Sequence, residues 1–424
     1  MTNMRFIFFL VMVTAMPEYI RAQTCLSQDL LNAHVHQNAV VAGDRARIEA
    51  FTQNWIENQQ HNPGEPRELA IIPVVVHVVW RTAAENISDE QIMSQIQVLN
   101  SDFRKMNADS ENVIYPPFRA VRADAEIEFQ LATVDPLGNP ATGITRTQTS
   151  LPEIGILRVS GKRAICYEEF GGHDVWCSNH YLNIWIGAFP SGIAGEASFP
   201  GQDIPEEDGV RIAPHRFGVI GTAINAPYHL GRTATHEIGH YFNLYHAWGN
   251  SGNSNPDCIF DDEVADTPKQ AGNYLNQCPS FSGLQSSCIA NTPDMFCNYM
   301  NYTDDACMVM FTQGQKLRMR ASLDGPRSGL VYQSGACLPV SNQFEPPSQV
   351  SVVLQPNPAN QFVVIEGLSA GYEVRCFGIN GTLWPVYQEL ENKIRVGHLL
   401  PGVYILQIKN ERNMITKMLI IARL

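Results

Sequence analysis

HEIGHYFNLYHAWG, residues 236–249, carries three histidines, His236, His240 and His246, with Glu237 beside the first. On a helix, His236 and His240 lie one turn apart on one face, so both imidazoles can reach a single ion. Glu237 sits at the edge of that face, placed to hydrogen-bond a metal-bound water rather than the metal itself. His246 lies well off the face if the helix continues, so the chain must leave the helix before it. Asn243 stands where a motif of this shape usually has glycine. A helix exit calls for positive φ, which glycine adopts without steric cost and asparagine tolerates next best. Asn243 is therefore expected to make the turn that returns His246 to the ion. Three neutral nitrogens leave a fourth position open, the layout of a catalytic zinc rather than a closed structural one. The chemistry expected is peptide hydrolysis by a zinc-activated water, with Glu237 as general base.

Upstream, IIPVVVHVVW (71–80) is a nearly continuous β-branched run, the pattern of a strand buried on both faces. Ser88 is placed as an N-cap with Gln91 at the capping-box position, and Ile92, Ile96, Leu99 and Phe103 follow at helical spacing. EIEFQLATV alternates as a half-buried strand, and HYLNIWIGAF and GVRIAP supply two more. Strand, helix, strands and then the histidine helix describe an α/β (α+β) domain, its active-site helix packed on a twisted mixed sheet. Beyond His246 the chain is irregular to about Met310 and holds five cysteines, so covalent staples are expected there. TQGQKLRMRASL reads as a closing helix.

The remaining segments set the organisation. Arg5 followed by the apolar run Phe6–Met16 has the layout of a signal peptide, residues 1–22, and no other stretch is long and apolar enough for a membrane helix. A polar pro-segment, 23–67, closes with a Pro- and Gly-containing loop. The metalloprotease domain runs over 68–337 and a linker over 338–348. Residues 349–424 show short alternating runs between turn signals, a small all-β sandwich. Ten cysteines fit an oxidising compartment, and no CxxC pair occurs, which argues against a cysteine zinc site. A net charge of −13 argues against nucleic acid and anionic membranes as partners.

HEIGHYFNLYHAWG, DDEVADTP and FCNYMNYTDDACMVMFTQGQ together resemble the zinc motif and the following segment of the pappalysin family of metzincin metalloproteases, in its bacterial secreted branch. The resemblance spans about residues 70–335. It implies zinc on His236, His240 and His246, Glu237 as base, Met300 in the tight turn beneath the metal, and Tyr302 as an oxyanion-stabilising hydroxyl. It implies calcium near Asp262, Asp266 and Thr267, hard oxygens in an acidic loop. It also implies disulfides Cys258–Cys288 and Cys278–Cys307. Cys166 with Cys177, and Cys297 with Cys337, are then the simplest further pairs, which leaves Cys25 and Cys376 over. LQPNPANQ, GINGT and LLPGVYILQI are similar to the C-terminal sorting domain of type IX secretion. That implies contact with the secretion machinery and a place outside, or on the surface of, a Gram-negative cell.

The reading is a secreted zinc endopeptidase made as a zymogen, acting on proteins or peptides. Its rival is a surface binding protein with an inactive or structural metal site, which the intact His-Glu pair and the open fourth position oppose. Cys25 is a candidate for latency, since a thiolate can fill that fourth position; Asp29 or Asp44 offers a carboxylate for the same task. Asp304 and Asp305 follow the Met300 turn, where related enzymes wall the pocket for the residue after the scissile bond. A carboxylate there would select Arg or Lys.

Overall fold

The computed structural model describes residues 24–61, 68–250, 255, 257–331 and, with short gaps, 353–422. The signal segment and the linker lie outside the described residues, as does nearly all of the loop expected to close the pro-segment. The chain divides into two compact units, Met1–Leu338 and Pro339–Leu424.

The first unit opens with a short strand, β1 (Thr24–Cys25), and two helices, α1 (Ser27–Gln37) and α2 (Ala39–His61). The central strand is β2 (Ala70–Trp80), followed by α3 (Asp89–Phe103), the single turn α4 (Ser110–Val113), β3 (Ile127–Leu131) and β4 (Ile144–Gln148). A small ribbon, β5 (Arg158–Val159) with β6 (Lys162–Arg163), precedes β7 (Leu182–Ile186), β8 (Ile193–Ala197) and β9 (Val210–Ile212). Then come α5 (Arg232–Tyr241) and, after the irregular segment, α6 (Gln313–Asp324).

The sheet order is β1-β8-β9-β7-β2-β3, with β4 pairing the far half of β2. Neighbours are parallel except β8 against β9, which makes the sheet mixed. From Val74 to Val79 β2 is buried on both faces, as its nearly continuous β-branched run leads one to expect, while Ile71 near its start is exposed. Ile72, Val74, Val76 and Val78 join Ile92, Ile96, Leu99 and Phe103 of α3 and Ile238 of α5 in one core. Val79 packs on the other face with Ile165 and Trp185. Ser88 caps α3 by accepting from the Gln91 amide at 3.2 Å. The Gln91 side chain does not complete a capping box. It reaches the carbonyls of Pro214 and Phe217 at 3.0 and 2.8 Å, tying α3 to the loop before α5.

His77 faces the second layer, fully buried, between Thr145 Oγ1 at 2.8 Å and Asn183 Oδ1 at 2.9 Å. Its ring stacks on His173 with centroids 4.4 Å apart. Burial, with His173 adding to it, holds its pKa down to about 3, so it is neutral.

The second unit consists of two antiparallel four-stranded sheets. β10 (Val353–Gln355), β11 (Phe362–Glu366), β15 (Lys393–Arg395) and β14 (Tyr387–Leu390) form one. β13 (Leu383–Trp384), β12 (Glu373–Gly378), β16 (Gly402–Lys409) and β17 (Met414–Ile421) form the other. Val363, Ile365, Leu406, Ile408 and Leu419 fill the space between them, the period-two inward face of a sandwich.

Cys258–Cys288 and Cys278–Cys307 are disulfides, in agreement with the pairing that the resemblance implied. The two further pairings are corrected. Cys166 is a free thiol buried in the core beside Trp185, while Cys177 is disulfide-bonded elsewhere, next to Tyr181 in a different cluster. Cys297 is also free, buried with Met295, Phe296 and Met310, and so is not paired with Cys337. Both behave as small core hydrophobes, for which nearness in sequence says nothing about a sulfur partner.

Candidate metal centre

Helix α5 is held at its start by residues distant in sequence. Asp305 Oδ2 accepts from the Leu230 amide at 2.7 Å and the Arg232 amide at 3.4 Å, doing from outside the work of a helix cap. Thr235 donates to Asp102 Oδ2 at 2.7 Å, and Arg232 pairs with the same carboxylate, which pins α5 to α3. Gly239 lets the Met300 turn approach, since a Cβ there would sit 2.4 Å from Met300 Sδ.

The helix ends at Tyr241, and Asn243 takes φ +74°, the left-handed conformation that its type tolerates. The chain then doubles back and brings His246 to the other histidines. His240 Nε2 lies 3.1 Å from Nε2 of both His236 and His246. All three rings are buried.

The protons of two of these rings can be placed. His236 Nδ1 faces the Tyr299 carbonyl and His240 Nδ1 the Leu244 carbonyl, each at 2.7 Å. Carbonyls only accept, so both Nδ1 atoms carry hydrogen. Burial keeps the rings neutral: His236 is held down to about 4, and His240 and His246 well below their ordinary value. The Nε2 atoms of His236 and His240 are then bare lone pairs facing each other at 3.1 Å, a repulsive arrangement unless a cation lies between them. Ligands about 2.0–2.1 Å from a tetrahedral zinc are roughly 3.3 Å apart, so the donor set fits that ion.

The N-terminal segment enters this centre. β1 runs parallel to β8, with Cys25 opposite Gly195. Cys25 Sγ and the three imidazoles all lie within 4.8 Å of one another. The thiol donates to Glu237 Oε2 at 3.3 Å, and Ser27 Oγ donates to the same oxygen at 2.7 Å. Burial raises Glu237 to about 7, opposed by these two hydrogen bonds. Burial, and then the Glu237 charge, push the Cys25 thiol well up. The Tyr302 hydroxyl lies 3.1 Å from His246 Nε2 and 3.3 Å from the Cys25 carbonyl, and burial keeps it a neutral phenol. Met300 is fully buried, and its carbonyl accepts from the Ala247 amide at 3.1 Å, so the turn lies under the histidines.

The two acidic pocket candidates part company. Asp305 lines the cavity in front of His236 and Glu237, together with Tyr228, Thr233 and Met308. Its Oδ1 is buried without a hydrogen-bond partner, and burial raises its pKa to about 6. Asp304 is part-exposed and does not line that cavity. In the acidic loop, Asp262 Oδ1 accepts from the Val264 amide and Asp266 Oδ2 from the Gly314 amide. Asp262 Oδ2 and Asp266 Oδ1 are buried without partners, and Thr267 is buried beside them. Burial, then the neighbouring Asp261, drive Asp262 well above its ordinary value.

Ser27 was not read from the sequence, and no pattern marks it; only the path of β1 brings it to Glu237. Glu196 of β8 and Arg211 of β9, paired at 2.6 Å, were missed as well, since only the pairing of those two strands brings them together.

A zinc-type histidine centre on a mixed sheet defines the class of protein, and comparison with known proteins gives the family. Residues 166–324 match the family model described as pregnancy-associated plasma protein-A, and 354–422 match a secretion-system C-terminal sorting domain. An extracellular metalloprotease of Arthroderma benhamiae is 28% identical over 262 residues, 61% of this chain and 79% of that protein. Mature mirolysin of Tannerella forsythia, in complex with a cleaved peptide, is 43% identical. That match covers 63% of this chain and 97% of that one, with a TM-score of 0.58. A promirolysin point mutant of the same organism is 39% identical, covering 73% and 96%, with a TM-score of 0.61. The chain belongs to the pappalysin family of metalloproteases and carries a type IX sorting domain; it is a zinc endopeptidase of the secreted or cell-surface kind. Among the described residues no helix is long and apolar enough to cross a membrane.

Proposed function

We propose that residues 68–337 are the peptidase, that His236, His240 and His246 hold its zinc, and that Glu237 is its general base. The observation that carries this is that the bare, neutral Nε2 atoms of His236 and His240 face each other at 3.1 Å, with His246 Nε2 3.1 Å from the latter. Zinc supplies Lewis-acid polarisation and lowers the pKa of water that it binds to about 7. Glu237, raised towards neutrality by burial, is poised to take a proton through Oε2 and return it to the leaving amine. Tyr302 points a neutral hydroxyl at the same space, where it can donate to a developing oxyanion. Metal analysis with peptide hydrolysis before and after chelation tests this reading. Metal-free protein with full activity overturns it.

Residues 23–67 act in this reading as a pro-segment, with Cys25 at the fourth position. A cation held by the histidines would favour the Cys25 thiolate, and Glu237 Oε2, 3.3 Å from the sulfur, is placed to hold the proton, so the one residue would engage both the site and its base. Asp29 and Asp44 do not belong to the histidine cluster, whereas Cys25 does.

The substrate reading is a basic residue directly after the scissile bond, held by the free Oδ1 of Asp305. Calcium is proposed in the loop at Asp262, Asp266 and Thr267, where a cation would relieve two orphaned carboxylate oxygens. A melting temperature indifferent to calcium and to its chelation would count against that site.

A further inference from the structure

Helix α2 lies on the reverse of the histidine cluster. Arg45 sits over the Phe199 ring at 5.4 Å, and Phe199 in turn packs on His240 with centroids 5.0 Å apart. Arg45 donates to the Pro200 carbonyl at 2.8 Å, to Asn243 Oδ1 at 2.7 Å and to the Tyr245 hydroxyl at 3.0 Å. Asn243 Nδ2 donates to Thr52 Oγ1 at 3.3 Å, so both ends of its amide are taken by this one helix. Arg318, fully buried, makes a bidentate pair with Glu49 at 2.7 and 2.8 Å, and its Nε donates to the Asn243 carbonyl at 3.2 Å. Arg45, Glu49 and Thr52 follow at spacings of four and three, one face of a helix.

Asn243 is the residue that turns the chain from His240 towards His246. Glycine would make the turn and offer α2 nothing to hold. With asparagine, the turn has a handle, and the handle is gripped from outside the cleft. If the helix leaves, Arg318 loses its carboxylate and the Asn243 amide loses both partners. That cost opposes departure, and the turn loses its outer support when departure occurs.

We propose that Asn243, Tyr245 and Arg318 form a helix-binding surface whose ligand is residues 39–61 of this chain, separable from the Cys25 contact, and that its occupancy stiffens the turn carrying His246. The helix then stays on the peptidase unit after the chain is cut between His61 and Glu68, whether or not Cys25 is present.

The test uses the full chain carrying Glu237→Ala, which prevents self-cleavage, with a specific protease site placed between His61 and Glu68. After cutting, the N-terminal fragment should co-elute with the remainder in gel filtration, equally with Cys25 and with Cys25→Ala. A labelled peptide of residues 39–61 should exchange into the cut Cys25→Ala protein. Unlabelled natural peptide should displace it, and R45A and E49A peptides should compete at least about tenfold more weakly, the scale of one charge-assisted hydrogen bond lost. Amide exchange at Leu244–Ala247 should slow as the peptide binds. A fragment that leaves on cutting, or that stays only when Cys25 is present, overturns the proposal. So does equal competition by the variant peptides, or binding without altered exchange at the turn. Neither metal content nor peptidase activity enters these measurements, so the zinc reading is judged separately.

Discussion

Cys25 Sγ lies 3.3 Å from Glu237 Oε2, although 212 residues separate them in sequence. One group thereby sits at the open side of the histidines and on the residue assigned as base. The precursor of Cys25→Ala should cleave a fluorogenic peptide before any processing, at a rate approaching that of the processed enzyme. A variant precursor as silent as the natural one would show that Cys25 is not the plug.

Glu237→Ala should retain zinc, because all three imidazoles, and the carbonyls that hold His236 and His240, are untouched. Its peptide hydrolysis should fall by ~10²–10⁴-fold, the usual worth of a general base. Turnover near that of the natural enzyme, measured on metal-replete protein, would remove Glu237 from the chemistry.

Asp305→Asn and Asp304→Asn should behave differently. The first removes the charge that lines the cavity while keeping an oxygen for the Leu230 amide. It should cost ~10–100-fold in kcat/KM for substrates with Arg after the scissile bond, the range of a charge-assisted hydrogen bond. The second should change little. Sequencing of new N-termini from a digested peptide library reads both, and an unaltered basic preference in the Asp305 variant would contradict the assignment.

Selectivity should also follow pH. Burial raises Asp305 to about 6, so its carboxylate is charged above that value and neutral below it. The ratio of kcat/KM for basic over apolar residues should fall as pH drops through about 6 in the natural enzyme. A ratio flat from pH 8 to 5 would be inconsistent with a single carboxylate selecting the cation.

Stability should fall in mild acid partly through His77, which is far from the metal in sequence and sits in the other layer. Its pKa is about 3 in the fold against an ordinary 6.5. The unfolded chain therefore binds the extra proton first. The stabilisation is complete above about 6.5 and is lost progressively as pH falls towards 3. His77→Gln, whose amide can bond Thr145 and Asn183, should flatten the denaturation midpoint over that window. An unchanged pH dependence would place the acid sensitivity elsewhere.

The elements whose residues argue locally were legible. The β-branched run of β2, the Ser88 cap and the one-turn spacing of His236 and His240 each carry their own physical cause. Asn243 was legible too, because a helix exit needs positive φ and few residue types supply it. What was not legible depended on distant pairing. Nothing near Cys166 or Cys297 says that each lies alone in a core. Asp304 and Asp305 are neighbours in sequence, and only the fold turns one into the cavity and leaves the other part-exposed. The helices of the N-terminal segment were also missed, since their polar sequence carries a weak apolar stripe: α1 packs through little more than Leu31, and α2 through Arg45, Glu49 and Trp55.

The pairing of β1 with β8 has a consequence beyond the cleft. β8 is the strand at which the mixed sheet would otherwise stop, with a row of amides and carbonyls open to any extended chain. Thr24 and Cys25 occupy that row. The N-terminal segment therefore covers this rim at Ile193 and Gly195, and removal of Thr24 and Cys25 would leave that stretch open to strand addition.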